Sequence, residues 1–201
     1  MRHRTILMAV PMMLMLCLLC ACGGKANDPL QAPMDFRGTL LAKGGCAFEL
    51  EALAETGDQL WPLTLACELD ADGDGSVTIL APESIAGIRA ELRDGAGSLR
   101  YENVCLGLGT LPGTELAPAS APGRLVRAWA RDWLASAGAE DGALLACYEE
   151  EPILVRTWFD GEGIPVRAEL AVEGVVRFTA EIRNFEWKAG KTNETAKEDL
   201  G

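Results

Sequence analysis

The stretch CAFELEALAETGDQLWPLTLACEL, residues 46–69, alternates apolar and polar residues on both sides of one turn. Alternation with a period of two predicts β-strands, because successive side chains of a strand point to opposite faces of a sheet. A turn centred between Thr56 and Gly57 predicts an antiparallel hairpin with one apolar face. The apolar face is predicted to consist of the pairs Cys46–Cys67, Phe48–Leu65, Leu50–Leu63 and Ala52–Trp61.

Further turn signals along the chain extend this hairpin into a meander of antiparallel strands. They are Gly73, Gly95–Ala96, Gly161–Glu162 and Gly174. Each of these turns places apolar residues of its two strands opposite one another on one face of the sheet. The charged residues of the same strands then lie on the other face. The predicted pairs include Cys67–Ile79, Leu92–Leu99, Val155–Ala168 and Leu170–Phe178.

One segment, about residues 122–137, has helical spacing instead. Its apolar stripe consists of Leu125, Val126, Trp129, Trp133 and Leu134. Pro122 marks a helix start and Gly138 a helix stop. The sequence therefore predicts an α+β fold, in which one inserted amphipathic helix covers the apolar face of an antiparallel sheet.

The first residues have the pattern of a secretory signal peptide, with Arg2 and Arg4 before an apolar run. The ending Leu19-Cys20-Ala21-Cys22 resembles the bacterial lipobox, which implies cleavage after residue 21 and acylation of Cys22. The alternative is a retained N-terminal anchor helix. Residues 22–34 are predicted to be a flexible tether, 35–187 one folded domain, and 188–201 a disordered tail.

Composition excludes several classes of function. Removal of residues 1–21 takes away Arg2 and Arg4 and no acidic residue, so the net charge changes from −12 to −14. Such an acidic body argues against a nucleic-acid partner. The only histidine, His3, lies in the removed segment, which excludes histidine-based catalysis and histidine-ligated zinc. We therefore expect no enzyme, no metal and no cofactor.

Two clusters of side chains have alternative interpretations. The segment Asp70–Gly75 fits the start of a calcium-binding loop, but Ala81 stands where a bidentate glutamate is required, so a solvated hairpin tip is favoured. Four further cysteines allow disulfides in an exported protein. The predicted register favours Cys46–Cys67 and leaves Cys105 with Cys147, and the alternative is buried free thiols.

Three segments of the sequence resemble segments of the LolA/LolB-like lipoprotein superfamily, in particular those of its Gram-positive branch. They are the strand and Pro-Glu turn of residues 76–88, the strand of 99–103 and the hairpin of 159–165. The resemblance implies a sheet curled into a half-barrel around an apolar cavity that helix partly fills. The lipobox, by contrast, predicts anchoring through Cys22 to the outer face of the cytoplasmic membrane, or to the outer membrane in a Gram-negative host.

Two functions follow from these features. The first is non-enzymatic binding of a lipid or acyl chain in the concave face of the sheet. The alternative is a scaffold of the cell envelope, or of sporulation or germination, that binds and regulates a partner protein. The residues predicted to line an apolar cavity or to form the core are Phe48, Trp61, Leu65, Trp129, Trp133, Val155, Leu170 and Phe178.

Overall fold

A computed structural model describes residues 28–56, 59–94, 96–101, 104–110 and 118–188. Two α-helices lie in this part of the chain, α1 at Gln31–Lys43 and α2 at Ala121–Arg131, with a single 3-10 turn at Glu83–Ile85. The strands are β1 Gly45–Thr56, β2 Gln59–Asp70, β3 Gly75–Ala81, β4 Arg89–Arg93, β5 Ala96–Tyr101, β6 Val104–Thr110, β7 Trp133–Glu140, β8 Ala143–Glu150, β9 Ile153–Phe159, β10 Pro165–Val172 and β11 Val175–Trp187.

All eleven strands form one antiparallel sheet in the order β6-β5-β4-β3-β2-β1-β11-β10-β9-β8-β7. Strands β1–β6 make one meander and β7–β11 a second, and pairing of β1 with β11 joins them. The predicted α+β class and the meander are confirmed. The sheet is open, with β6 and β7 at its edges, so it does not close into a barrel.

The predicted faces of the strands are correct, but most predicted registers are displaced by two residues. Cys46 lies opposite Leu69, and Phe48 lies opposite Cys67. A displacement of two residues leaves every side chain on its predicted face, because side-chain direction repeats with that period. In the β10–β11 hairpin the predicted pair Leu170–Phe178 is confirmed.

Helix α2 is shorter than predicted. It ends at Arg131, and Asp132 adopts an extended backbone that leads directly into β7. The predicted continuation to residue 137 was wrong because residues 133–140 pair with β8 instead. Trp133 matched the helical spacing of the stripe by coincidence.

Helix α1 differs from the sequence-based expectation, which ends a flexible tether at residue 34 and places no helix at the start of the folded domain. Its buried residues, Pro33, Phe36 and Leu40, form a short stripe on the core. Pro33 lies in the first turn, where a missing backbone N–H costs little. Gly44 ends the helix with φ of 76°, a left-handed conformation that suits glycine. Neither described helix is long and apolar enough to span a bilayer.

Candidate functional site

Both helices pack against the same face of the sheet, which we call the inner face. Six of the eight residues predicted to line a cavity or to form the core are buried there. They are Phe48, Leu65, Trp129, Val155, Leu170 and Phe178. Side chains of α1 and α2, including Phe36, Leu125 and Val126, occupy the space between them. These six residues therefore form a packed core.

Trp129 stands at the centre of this core. Its indole N–H donates a hydrogen bond to the Thr157 hydroxyl at 2.8 Å, so the polar atoms of both buried side chains are satisfied. The Phe36 ring meets the indole edge-on at 5.7 Å between centroids, and the Phe48 ring lies 5.9 Å away. Trp129 thus connects α2, α1 and the sheet.

The other two predicted core residues are exposed. Trp61 lies opposite Ala54 near the β1–β2 turn and is 43% exposed. Trp133 is 74% exposed at the start of edge strand β7. Neither side chain is part of the buried core, because Trp133 begins a strand and Trp61 lies near the end of its hairpin.

Arg37 fastens the two helices together. Its Nε donates to the Trp129 carbonyl at 2.7 Å, and one Nη donates to the Asp132 carbonyl, also at 2.7 Å. The guanidinium therefore caps carbonyls at the C-terminal end of α2, where the helix dipole favours a cation. The two helices that cover the inner face are therefore held to each other by these hydrogen bonds.

The Asp-rich β2–β3 turn has a structural role. One carboxylate oxygen of Asp70 accepts the backbone N–H groups of Asp72 and Asp74 at 2.9 and 3.0 Å. Gly73 packs directly on the Gly123 backbone of α2, and Arg131 forms an ion pair with Asp72. The turn thus contacts α2 and is not simply a solvated tip. Within the described residues, no group of three or more His, Cys, Asp or Glu residues is arranged to hold a metal ion.

The four described cysteines are free thiols. The predicted pair Cys46–Cys67 is corrected by the register, which places Leu69 opposite Cys46. Cys105 lies on edge strand β6 and Cys147 on β8, far apart in the strand order. Burial raises the pKa of the Cys46 thiol to about 12, against a smaller opposing effect of the Lys188 cation. Burial also raises the pKa of the Cys67 thiol.

Alkylation distinguishes these thiols. Iodoacetamide at pH 8 is expected to modify the exposed Cys105 in the folded protein and to reach Cys46 and Cys67 only after unfolding, because the thiolate is the nucleophile. Peptide mass spectrometry measures the order. Because burial raises the pKa of Cys46, the unfolded chain loses this proton first as the pH rises above 9.0, so the stability of the fold decreases between pH 9.0 and about 12. Rapid labelling of Cys67 in the folded chain would show that the inner face is open rather than packed.

A separate apolar surface lies at one end of the inner face, on strands β5 and β6. Leu99 pairs with Leu106 and Tyr101 with Val104, and Leu99 continues the buried row of Ala90. Tyr101, Val104 and Leu106 are exposed by 48%, 68% and 59%. The helices pack mainly over β1, β2, β8 and β10. We call these four side chains, Leu99, Tyr101, Val104 and Leu106, the β5–β6 wing.

The sequence contained a signal for the wing that was not used. Residues 97–101 alternate in the same way as the buried strands, and Val104 and Leu106 continue that alternation. Alternation indicates which side chains share a face. It does not indicate which strands the helices will cover, so the exposure of the wing could not be predicted from it.

No protein-family model matches the chain, and no curated protein matches it in sequence. Solved structures are similar in fold. A LolA superfamily protein from Nitrosomonas europaea is 8% identical, with a TM-score of 0.45, covering 81% of this chain and 94% of that one. A chain in the complex of the CwlD amidase with the GerS lipoprotein, from Clostridioides difficile, is 13% identical, with a TM-score of 0.46 and coverages of 77% and 93%.

A putative outer membrane lipoprotein-sorting protein domain from Vibrio parahaemolyticus is 10% identical, with a TM-score of 0.42, covering 85% of this chain and 94% of that one. LolA superfamily and lipoprotein-sorting proteins, the group that the sequence resembles, are thus among the solved structures to which this chain is similar. At these identities the likeness concerns the fold alone.

Proposed function

We propose that this chain is an exported, non-enzymatic lipoprotein that is anchored through acylated Cys22 and binds a partner protein of the cell envelope through the β5–β6 wing. The observation that carries the proposal is the exposure of Val104 and Leu106 on edge strand β6 and of Tyr101 on the adjacent strand β5, beside a core that is packed elsewhere. Contiguous apolar side chains on a surface are typical of interaction sites.

The edge position supports a protein partner in particular. Among the described strands, β6 has a neighbour on one side only, so its other side presents backbone N–H and C=O groups. An extended segment of a partner would pair with that backbone as a further strand. Alternate side chains of the added strand would then lie beside Val104 and Leu106 and extend the apolar inner face.

A lipid or acyl chain on the concave face is the second candidate, and the apolar character of the wing favours it. Binding pockets for small ligands usually enclose most of the ligand surface, however. The wing is open, and the packed core occupies the neighbouring inner face. An acyl chain on the wing would keep much of its surface in water, so we place this candidate after the protein partner.

The expected location is the outer face of the cytoplasmic membrane, or the outer membrane if the host is Gram-negative. The acidic body and the absence of histidine beyond His3 support a binding role without a cofactor or a nucleic-acid partner.

The double substitution Tyr101→Ser and Leu106→Ser is expected to reduce recovery of the partner about tenfold, because each buried apolar anchor in an interface typically contributes about 1 kcal/mol or more. The measurement is affinity purification from envelope fractions with quantitative mass spectrometry. The matched control is Leu53→Ser with Leu80→Ser, two leucines that are similarly exposed elsewhere on the sheet.

A protein that is depleted with the wing variant and retained with the control variant supports the proposal. Equal recovery with both variants would contradict it. Native mass spectrometry of the wild-type chain tests the second candidate, since a bound lipid that the wing variant loses would favour the apolar ligand instead.

A further inference from the structure

Helix α1 has a second apolar stripe that faces away from the core. Leu30, Met34 and Leu41 are exposed by 39%, 48% and 51%. At about 100° per residue, these three side chains fall within roughly 40° of one another around the helix axis. The stripe therefore lies on a different side of the helix from the buried residues Pro33, Phe36 and Leu40.

No charged group interrupts this stripe. Arg37 falls about 20° from Leu30 around the helix axis, beside the stripe, but its guanidinium is turned towards the carbonyls of α2. Gly38 has no side chain, and the space around it is open. Asp35 lies on another side of the helix, where its carboxylate accepts a hydrogen bond from the Gln31 amide at 2.7 Å. The exposed stripe is thus purely apolar.

The position of the stripe in the chain indicates what covers it. Leu30 follows Cys22 by only eight residues. A chain spans at most about 3.6 Å per residue, so the start of α1 stays within roughly 30 Å of an anchor at Cys22. Such a short connection keeps the local concentration of membrane surface high, in the millimolar range for short linkers. Even weak apolar contacts then suffice for binding.

We propose that Leu30, Met34 and Leu41 dock α1 onto the membrane that holds the acyl chains of Cys22. The proposal rests on the proposed anchoring of Cys22. An apolar helix face of this kind binds at the boundary between headgroups and acyl chains. The acidic body is repelled by anionic lipids, so the docking is driven by apolar contact and is favoured on a surface of low charge. Docking gives the tethered body one orientation on the membrane.

Photo-crosslinking of the acylated mature chain, which begins at Cys22, in phosphatidylcholine vesicles tests this proposal. Met34 is replaced by p-benzoylphenylalanine in one variant, and Leu80, which is 45% exposed on β3, is replaced in the control. After irradiation, mass spectrometry counts the lipid adducts. We expect at least fivefold more lipid adducts at position 34 than at position 80. Equal adduct levels, or adducts of position 34 mainly with a second protein chain, would overturn the proposal.

A second pair of variants tests the stripe itself. With the photo-reactive residue kept at position 34, Leu30→Ser with Leu41→Ser is expected to reduce the lipid adducts severalfold. The matched control, Leu53→Ser with Leu60→Ser, removes two exposed leucines from the sheet and should leave the adducts unchanged. Unchanged adducts in both variants would also overturn the proposal. The mass of the mature N-terminal peptide reports acylation separately, and an unmodified Cys22 would contradict the anchoring instead.

Discussion

Replacement of Trp129 by alanine is expected to lower the free energy of unfolding by about 3–5 kcal/mol, the usual range for loss of a large aromatic side chain from a core. Trp129 is fully buried and contacts the rings of Phe36 and Phe48. Its loss would leave a cavity between α1, α2 and the sheet. The Thr157 hydroxyl would also lose its hydrogen-bond partner inside the core.

Urea unfolding followed by circular dichroism measures this effect. Trp133→Ala is the matched control, and we expect it to change the stability by less than about 0.5 kcal/mol because Trp133 is 74% exposed. The loss of stability caused by Trp129→Phe should lie between the losses caused by Trp129→Ala and Trp133→Ala, because phenylalanine keeps an aromatic ring but lacks the N–H donor. Similar losses for the Trp129→Ala and Trp133→Ala variants would show that the helices do not close the core as described.

The faces of the strands could be predicted from the sequence, but their exact pairing could not. Burial on one side forces apolar residues to recur at every second position, so the inner set of β1 and β2 is correct. A displacement by two residues preserves that set. Only the turn fixes the register, and the pairing of Thr56 with Gln59 centres the β1–β2 hairpin one position beyond the predicted centre.

The helices show the limits of periodicity in another way. A stripe of three buried residues, interrupted by Gly38, was too short for α1 to be distinguished from a tether. Helix α2 does carry the predicted apolar stripe, but the last two residues assigned to that stripe, Trp133 and Leu134, belong to β7. The end of α2 depends on tertiary contacts, because Arg37 caps its final carbonyls and Arg124 pairs with the Asp132 carboxylate at 2.7 Å.

The candidate binding surface depends on the same tertiary information. Leu99 and Leu106 obey the pattern that places Leu65 and Leu170 in the core. The difference between core and exposed wing is set by where α1 and α2 lie over the sheet. Sequence periodicity therefore predicts an apolar surface, and the packing of the helices decides which end of it remains available for a partner.

Two glycine-to-alanine substitutions in helices are expected to have opposite signs. Alanine normally stabilises a helix relative to glycine by roughly 0.5–1 kcal/mol. At Gly38 the added methyl group meets open space, so Gly38→Ala should be stabilising by about that amount. At Gly123 the same methyl group would lie 2.6 Å from the Gly73 carbonyl oxygen and 2.8 Å from Leu92 Cδ1. Gly123→Ala should therefore destabilise the protein by about 2 kcal/mol, within the range for overpacking.

The sign of the second effect tests the contact between the Asp-rich turn and α2. Leu92 can rotate away from a new methyl group, but the Gly73 carbonyl is held by the turn that Asp70 closes through the N–H groups of Asp72 and Asp74. Paired urea unfolding curves of the two variants and the wild type measure both changes. If Gly123→Ala proved as stabilising as Gly38→Ala, the β2–β3 turn would not be packed on α2, and its acidic residues would again be available for a role other than holding the helix in place.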